Sequence, residues 1–298
     1  MTDDNFLQRH YPDQWQDALV EDIPDHTWPQ MEVWFVIYAP KHLVAHLTGG
    51  RKAFGIRIGW VAHLINRLHL PIDLPRITST SASWGKHVKA ADLANVLNTL
   101  RTSGRSPLVL AVVETLCVEA DQPERAAEDL DRLLADGSSA WTVTPEGRLE
   151  RRVTAEAREA AAVAIGRGGA ASDHLARAWS AAFGLNPSAP AAYLEANQAI
   201  EVAAGPIVLP KEPPSTGKII AALDMKPSKW SHVLVADDGA VESTIAMLRM
   251  FWQSNVRHGT LAGPARNNIS EAQAAVHLAI VLVEWFRSGA IKRSDEEN

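Results

Sequence analysis

Apolar residues recur at three- and four-residue spacing through most of the chain, the pattern of helices that bury one face. Val61, Leu64, Ile65 and Leu68 form one such stripe, which Pro71 stops; Val88, Ala91, Ala94, Leu97 and Leu100 form a second, which Gly104 closes. Ser106 before Pro107 reads as the N-cap and first residue of an apolar helix running through Val118. Asp121, with Pro123 and Glu124 behind it, opens another helix, which packs through Ala126, Leu130 and Leu134. The continuous apolar run 33–39 fits either a strand or a buried helix, and residues 78–83 read as a polar loop.

Residues 136–140 are small and polar and read as a linker. Beyond them Trp141-Thr142-Val143 and Leu149-Glu150-Arg151-Arg152-Val153 flank Pro145-Glu146-Gly147 as a short hairpin. Helical periodicity then resumes near 154–165, 172–183, 191–203, 218–223, 242–258 and 271–287, while the proline-rich stretch 205–216 reads as an exposed loop. The pattern predicts a mainly α protein of two helical domains, 1–135 and 141–290, with a short β-hairpin near 141–153.

Composition narrows the function classes. The 298 residues carry a formal charge of -6, which argues against coating nucleic acid along the whole chain. Cys117 is the only cysteine, so intramolecular disulfides and multi-cysteine metal sites are excluded, and its apolar neighbours make it a core residue. The acidic opening Met1-Thr2-Asp3-Asp4-Asn5 lacks the positive start of a secretory signal, and no apolar run reaches the roughly 20 residues of a membrane span. The expectation is a cytoplasmic protein without membrane partners. Ten tryptophans are expected mostly in the core.

Familiar chemical motifs are incomplete. Thr216-Gly217-Lys218 has Glu212 where a phosphate loop needs glycine and Ile219 where it needs Ser or Thr, so it reads as a helix start. His42 and His46 share a face if their segment is helical, but Leu43 stands where a zinc protease carries its glutamate. Neither a metal nor a cofactor is expected.

The segment 242–287 carries more. Val241, Ile245, Leu248 and Trp252 form an apolar stripe, and Arg249 lies on another face of the same helix. This helix leads into Asn255-Val256-Arg257-His258-Gly259, where cationic residues suit the negative helix end and glycine suits the cap. Ser270 and Gln273 then read as a capping box, and Ala272, Ala275, Val276, Ala279, Val283 and Phe286 line one face of a terminal helix. Gln273, His277 and Glu284 lie on its other face, directed to solvent or to the Arg257-His258 turn.

That order, a helix, an Arg-His-Gly turn, a capping box and the helix Ala-Val-His-Leu-Ala-Ile-Val-Leu-Val-Glu-Trp-Phe, resembles the C-terminal domain of abortive-infection proteins, bacterial and prophage anti-phage factors related to HEPN domains. The resemblance covers about 153–290. It implies anti-phage defence through RNA binding or metal-independent RNA cleavage, with a homo-oligomer that builds its site between copies. His258 falls on the family's histidine. In the family four to six residues stand between the arginine and that histidine, and the corresponding positions hold Gln253, Trp252 and Phe251 here; Arg257 is adjacent. The resulting assignment is Arg257 and His258 as catalytic residues of an endoribonuclease, with Arg249, Asn255 and His277 binding substrate. The alternative is a non-catalytic helical interaction protein that senses a phage component or regulates a partner.

Overall fold

The computed structural model describes residues 19–38, 44–48, 51–72, 87–234, 241–254 and 268–294. The protein is mainly α, with small antiparallel sheets between the helices. It divides into two compact units, Met1–Arg152 and Val153–Asn298. The division falls after the hairpin, because residues 136–140 are bound into the first unit and are not a linker. The Ala140 amide donates to the Val20 carbonyl at 2.7 Å, and the Val20 amide donates to Ser138 at 2.8 Å. Ser139 is buried, its hydroxyl 2.9 Å from the Asp22 carbonyl. A Cβ on Gly137 would stand 2.3 Å from Thr27 Oγ1, so glycine is required there by close approach. The composition looks like a linker because these partners are more than a hundred positions away in sequence.

In the first unit, α1 (Trp28–Tyr38) decides the strand-or-helix ambiguity. Trp28, Met31, Trp34 and Phe35 are buried at helical spacing, and Val33 and Ile37 are exposed. The chain continues through β1 (Val44–Thr48), β2 (Arg51–Arg57), α2 (Ile58–Leu68), β3 (His87–Lys89), α3 (Ala90–Leu100), α4 (Ser106–Glu119), α5 (Pro123–Asp136), β4 (Trp141–Val143) and β5 (Leu149–Arg151). The three-stranded sheet β1-β2-β3 was not expected from periodicity. Its signal is local: Thr48 pairs with Arg51, and the residues between them are Gly49-Gly50, the kind of dipeptide that two-residue hairpin turns favour. His46 is therefore on a strand, which removes the helical pairing with His42, itself outside the described residues.

Ser106 is not the cap of α4. It has helical backbone angles, and its hydroxyl donates to the Asp22 carboxylate. Gly104, at φ +80°, makes the break between α3 and α4. Arg101, buried at this break, donates to the Ile23 carbonyl at 2.8 Å, to Asp25 at 2.6 Å and to Asn98 at 2.9 Å. Its guanidinium also lies 5.3 Å from the Trp28 ring centroid. Cys117 is buried and its thiol is pushed up to about 12, first by burial and then by Glu114, so it is a core residue and no nucleophile.

The second unit comprises α6 (Ala155–Gly166), α7 (Ala170–Phe183), α8 (Ala189–Val208), α9 (Thr216–Met225), β6 (Trp230–His232), α10 (Glu242–Ser254), α11 (Ile269–Arg287) and β7 (Ile291–Arg293). Its core is built where α8 packs on α7 and α11, through small residues such as Ala192, Ala196 and Ala199 that allow close approach, with Tyr193, Phe251 and Phe286 filling the space between. Helix α8 runs to Val208 through Pro206, further than the proline content predicted, because Ala203, Ala204 and Val208 are buried on the core side. The return loop closes tightly over it: a Cβ on Gly205 would meet Pro214 at 2.8 Å. Residues 210–214 are exposed, as expected. The cap of α11 is Asn268, paired with Glu271, rather than Ser270 with Gln273; Asn268 Oδ1 accepts from the Glu271 amide at 2.8 Å. Among the described residues, α11 is long and apolar enough to cross a membrane by length and composition, and here its apolar face lies in the core.

Candidate functional site

Helices α10 and α11 stand on either side of the Arg-His-Gly sequence. Asn255, Arg257 and His258 lie outside the described residues, between the end of α10 at Ser254 and the cap of α11 at Asn268. Helix α10 buries Ile245, Leu248 and Phe251. Trp252, assigned to the same stripe, is half-buried over the first turn of α9, where a Cβ on Gly217 would stand 3.1 Å from its ring.

The two remaining expected site residues are held against different elements. Arg249 donates to Asp224 of α9 at 2.8 Å, in a pair about half exposed on both sides. Such a pair contributes little to stability and ties α10 to α9. His277 packs against α7, with its ring centroid 5.7 Å from Trp179 and 5.3 Å from Phe183. Its polar neighbours on α11 follow the same direction. Gln273 donates to the Ala182 carbonyl at 3.1 Å, at the end of α7, and Glu284 pairs with Arg167 at 2.9 Å, just beyond α6. The polar strip of α11 is thus directed at α6 and α7, where it meets a carbonyl and a cation at the helix ends; the Arg257-His258 segment lies outside the described residues.

Burial lowers the pKa of His277, and burial also lowers that of His232, whose ring lies edge-on to Trp285 at 4.6 Å. His232 Nδ1 accepts from the Leu234 amide at 3.1 Å, which places the ring proton on Nε2, a buried atom without a partner. Both histidines fold neutral and are more basic when unfolded, so the unfolded chain binds more protons below the ordinary value of 6.5. Their stabilisation is complete above pH 6.5 and is lost as pH falls from 6.5 through the folded values. The melting temperature of the second unit is expected to drop between pH 7.5 and 5.5, and His277→Leu is expected to flatten that drop. A melting temperature that holds or rises on acidification to pH 5.5 contradicts this.

A further constellation joins α7 and α8. Glu195 Oε2 accepts from Arg177 Nε at 2.8 Å and lies 2.8 Å from His174 Nδ1. Arg177 Nη2 lies 2.8 Å from the same nitrogen. Burial pushes the Glu195 pKa up, but the hydrogen bonds from His174 and Arg177 outweigh it and hold the carboxyl below its ordinary value. These residues were missed in the sequence. His174 and Arg177 have the three-residue spacing of one helix face, a weak signal, and the register of α7 against α8 that brings up Glu195 has no sequence signature.

The first unit has an open groove of about 840 Å³ between the start of α5 and the hairpin β4-β5. It is lined by Glu124, Glu128, Asp131 and Glu146, with Arg125 the one basic residue, a lining that repels phosphates. Asp131 is already committed, accepting from the Thr142 hydroxyl at 2.6 Å and the Val143 amide at 3.0 Å. Among the described residues no group of three or more His, Cys, Asp or Glu is placed to hold a metal ion. Trp28, Trp34, Trp60, Trp141, Trp179 and Trp230 are buried and cannot stack on bases. Neither a family model, nor a curated protein, nor a solved structure matches this chain.

Proposed function

We propose that this protein is an RNA-directed anti-phage factor of the abortive-infection type, cytoplasmic and self-associating, that engages RNA through Arg257 and His258. The observation that carries the reading is the order helix α10, Arg257-His258-Gly259, helix α11 within a helical unit that has its own core. An imidazole beside a guanidinium supplies a proton acceptor and a phosphate contact without a metal. Arg249 and His277, expected to bind substrate with them, are paired with Asp224 and packed on α7 respectively.

The test is His258→Gln and Arg257→Gln in the full chain. Each contributes at most about 0.3–2 kcal/mol as a helix-end cation, so both variants are expected to melt within a few degrees of wild type. Phage protection and retention of single-stranded RNA in EDTA are expected to collapse. Variants that melt, bind RNA and protect as wild type does would reduce these residues to helix caps.

A second reading, a non-catalytic protein that docks a phage component, is favoured by the exposed aliphatic residues of the second unit. Met225, Val233, Leu234 and Met250 are 76%, 77%, 72% and 58% exposed. Protection that survives His258→Gln and is lost on Leu234→Asp belongs to this reading.

A further inference from the structure

From the end of α9 to the end of β6 the second unit displays apolar and cationic side chains together. Met225, the last residue of α9, is exposed. The chain then turns through Pro227–Lys229, where the Lys229 amide donates to the Lys226 carbonyl at 3.1 Å, so that Lys226 and Lys229 stand one turn apart, both exposed. Just past β6 the Val233 amide donates to the Ala290 carbonyl at 2.9 Å, and the Leu234 amide donates to His232 Nδ1 at 3.1 Å. Val233 and Leu234 are thus anchored through the backbone, and yet they are 77% and 72% exposed. Single apolar side chains at a surface are ordinary, but three so exposed between positions 225 and 234 form a patch with nothing to cover it.

Strand alternation fixes what accompanies them. Trp230, His232 and Ile291 are buried on the inward face of the sheet β6-β7, so Ser231, Val233 and Lys292 belong to its outward face, with Lys292 opposite Ser231. Arg293, opposite Trp230, lies with its guanidinium 5.7 Å from that ring centroid. Asp224 is the one acid in residues 224–234, and Arg249 holds it. Lys226 and Lys229 have no acidic partner among the described residues. The corner is therefore locally basic in a chain of net charge -6.

We infer that this corner, residues 225–234 with Lys292 and Arg293, seats the protein on an anionic lipid bilayer. The aliphatic side chains enter the boundary between head groups and acyl chains, and the cations meet the lipid phosphates. The expectation of no membrane partner rests on the lack of a spanning run, which a peripheral contact does not need. An acidic protein would match the charge as well, but it would need a fitted interface of about 800 Å² on each side. A fluid bilayer takes protruding side chains without matching pockets, which suits a corner formed by one turn and the end of a two-stranded sheet.

The experiment sediments the full-length protein with vesicles of phosphatidylglycerol and phosphatidylcholine in equal parts, and with vesicles of phosphatidylcholine alone. Wild type is expected to sediment with the mixed vesicles, to stay in solution with phosphatidylcholine, and to be released as salt is raised. Lys226→Gln and Lys229→Gln are each expected to weaken binding about fivefold. Val233→Asp and Leu234→Asp are each expected to weaken it about tenfold or more. All four positions are exposed, so the melting temperatures are expected to stay within a few degrees of wild type. Val163→Asp, at an exposed aliphatic residue of α6, is expected to bind as wild type does. The inference falls if wild type ignores the mixed vesicles, if binding survives Leu234→Asp, or if Val163→Asp weakens it equally. Phage protection lost on Leu234→Asp without any vesicle binding also overturns it, and gives these residues to the protein partner of the second reading.

Discussion

Phe251→Arg is expected to unfold the second unit, while Gln253→Arg, two residues on, is expected to leave its melting temperature within a few degrees of wild type. Phe251 is 1% exposed and packs on Tyr193, equally buried, at 6.2 Å between ring centroids. Removing such a ring costs about 3–5 kcal/mol. An unpaired guanidinium in its place adds several kcal/mol of desolvation, which together matches the whole stability of an ordinary domain, about 5–15 kcal/mol. Gln253 is exposed, and arginine is as good a helix former as glutamine, so the change there is worth no more than about 0.5 kcal/mol. These are two of the three positions at which the resembled family would carry its arginine. The third, Trp252, is packed over Gly217. An arginine is thus expected to be tolerated at 253 and not at 251. Thermal melts of the two variants check this, and a Phe251→Arg protein that melts near wild type would show that α10 is not seated as described.

Arg101→Ala is expected to lower the unfolding free energy of the first unit by about 3 kcal/mol. The side chain is 6% exposed, and its loss leaves the Ile23 carbonyl and Asn98 Oδ1 without their donor. The pair with Asp25 contributes less, because Asp25 is 88% exposed and screened by water. Arg101→Lys is expected to recover less than half of the loss, since an ammonium cannot span three acceptors and also lie over Trp28. Denaturant titration read by tryptophan fluorescence measures both. A loss under about 1 kcal/mol for Arg101→Ala would mean that residues 20–25 are held by their other contacts, those with Ser106, Ser139, Ala140, Trp141 and Arg151.

The expected site was legible only in part. His258, Arg257 and Asn255 could be singled out because a helix end, a cationic pair and a glycine adjoin one another in sequence. His277 and Arg249 were placed with them by helix face alone. A face does not name the neighbour it meets: Trp179 and Phe183 receive His277, and Asp224 receives Arg249, from helices far away in the chain. The triad of His174, Arg177 and Glu195 was invisible for the same reason, with two members on α7 and the third brought in by α8.

By itself the sequence determined the mainly α class, most of the helices and the hairpin at Pro145-Glu146-Gly147, because periodicity, prolines and turn residues act within a few positions of one another. Tertiary structure decided what depends on distant partners. It bound residues 136–140 into the first unit through Val20 and Asp22, carried α8 past Pro206 on the strength of buried Ala203, Ala204 and Val208, and drew Ser106 from a cap to the Asp22 carboxylate. It also directed the polar strip of α11 to the ends of α6 and α7. In each case a local preference worth about 1 kcal/mol yields to burial or to a hydrogen bond that only the folded chain can supply.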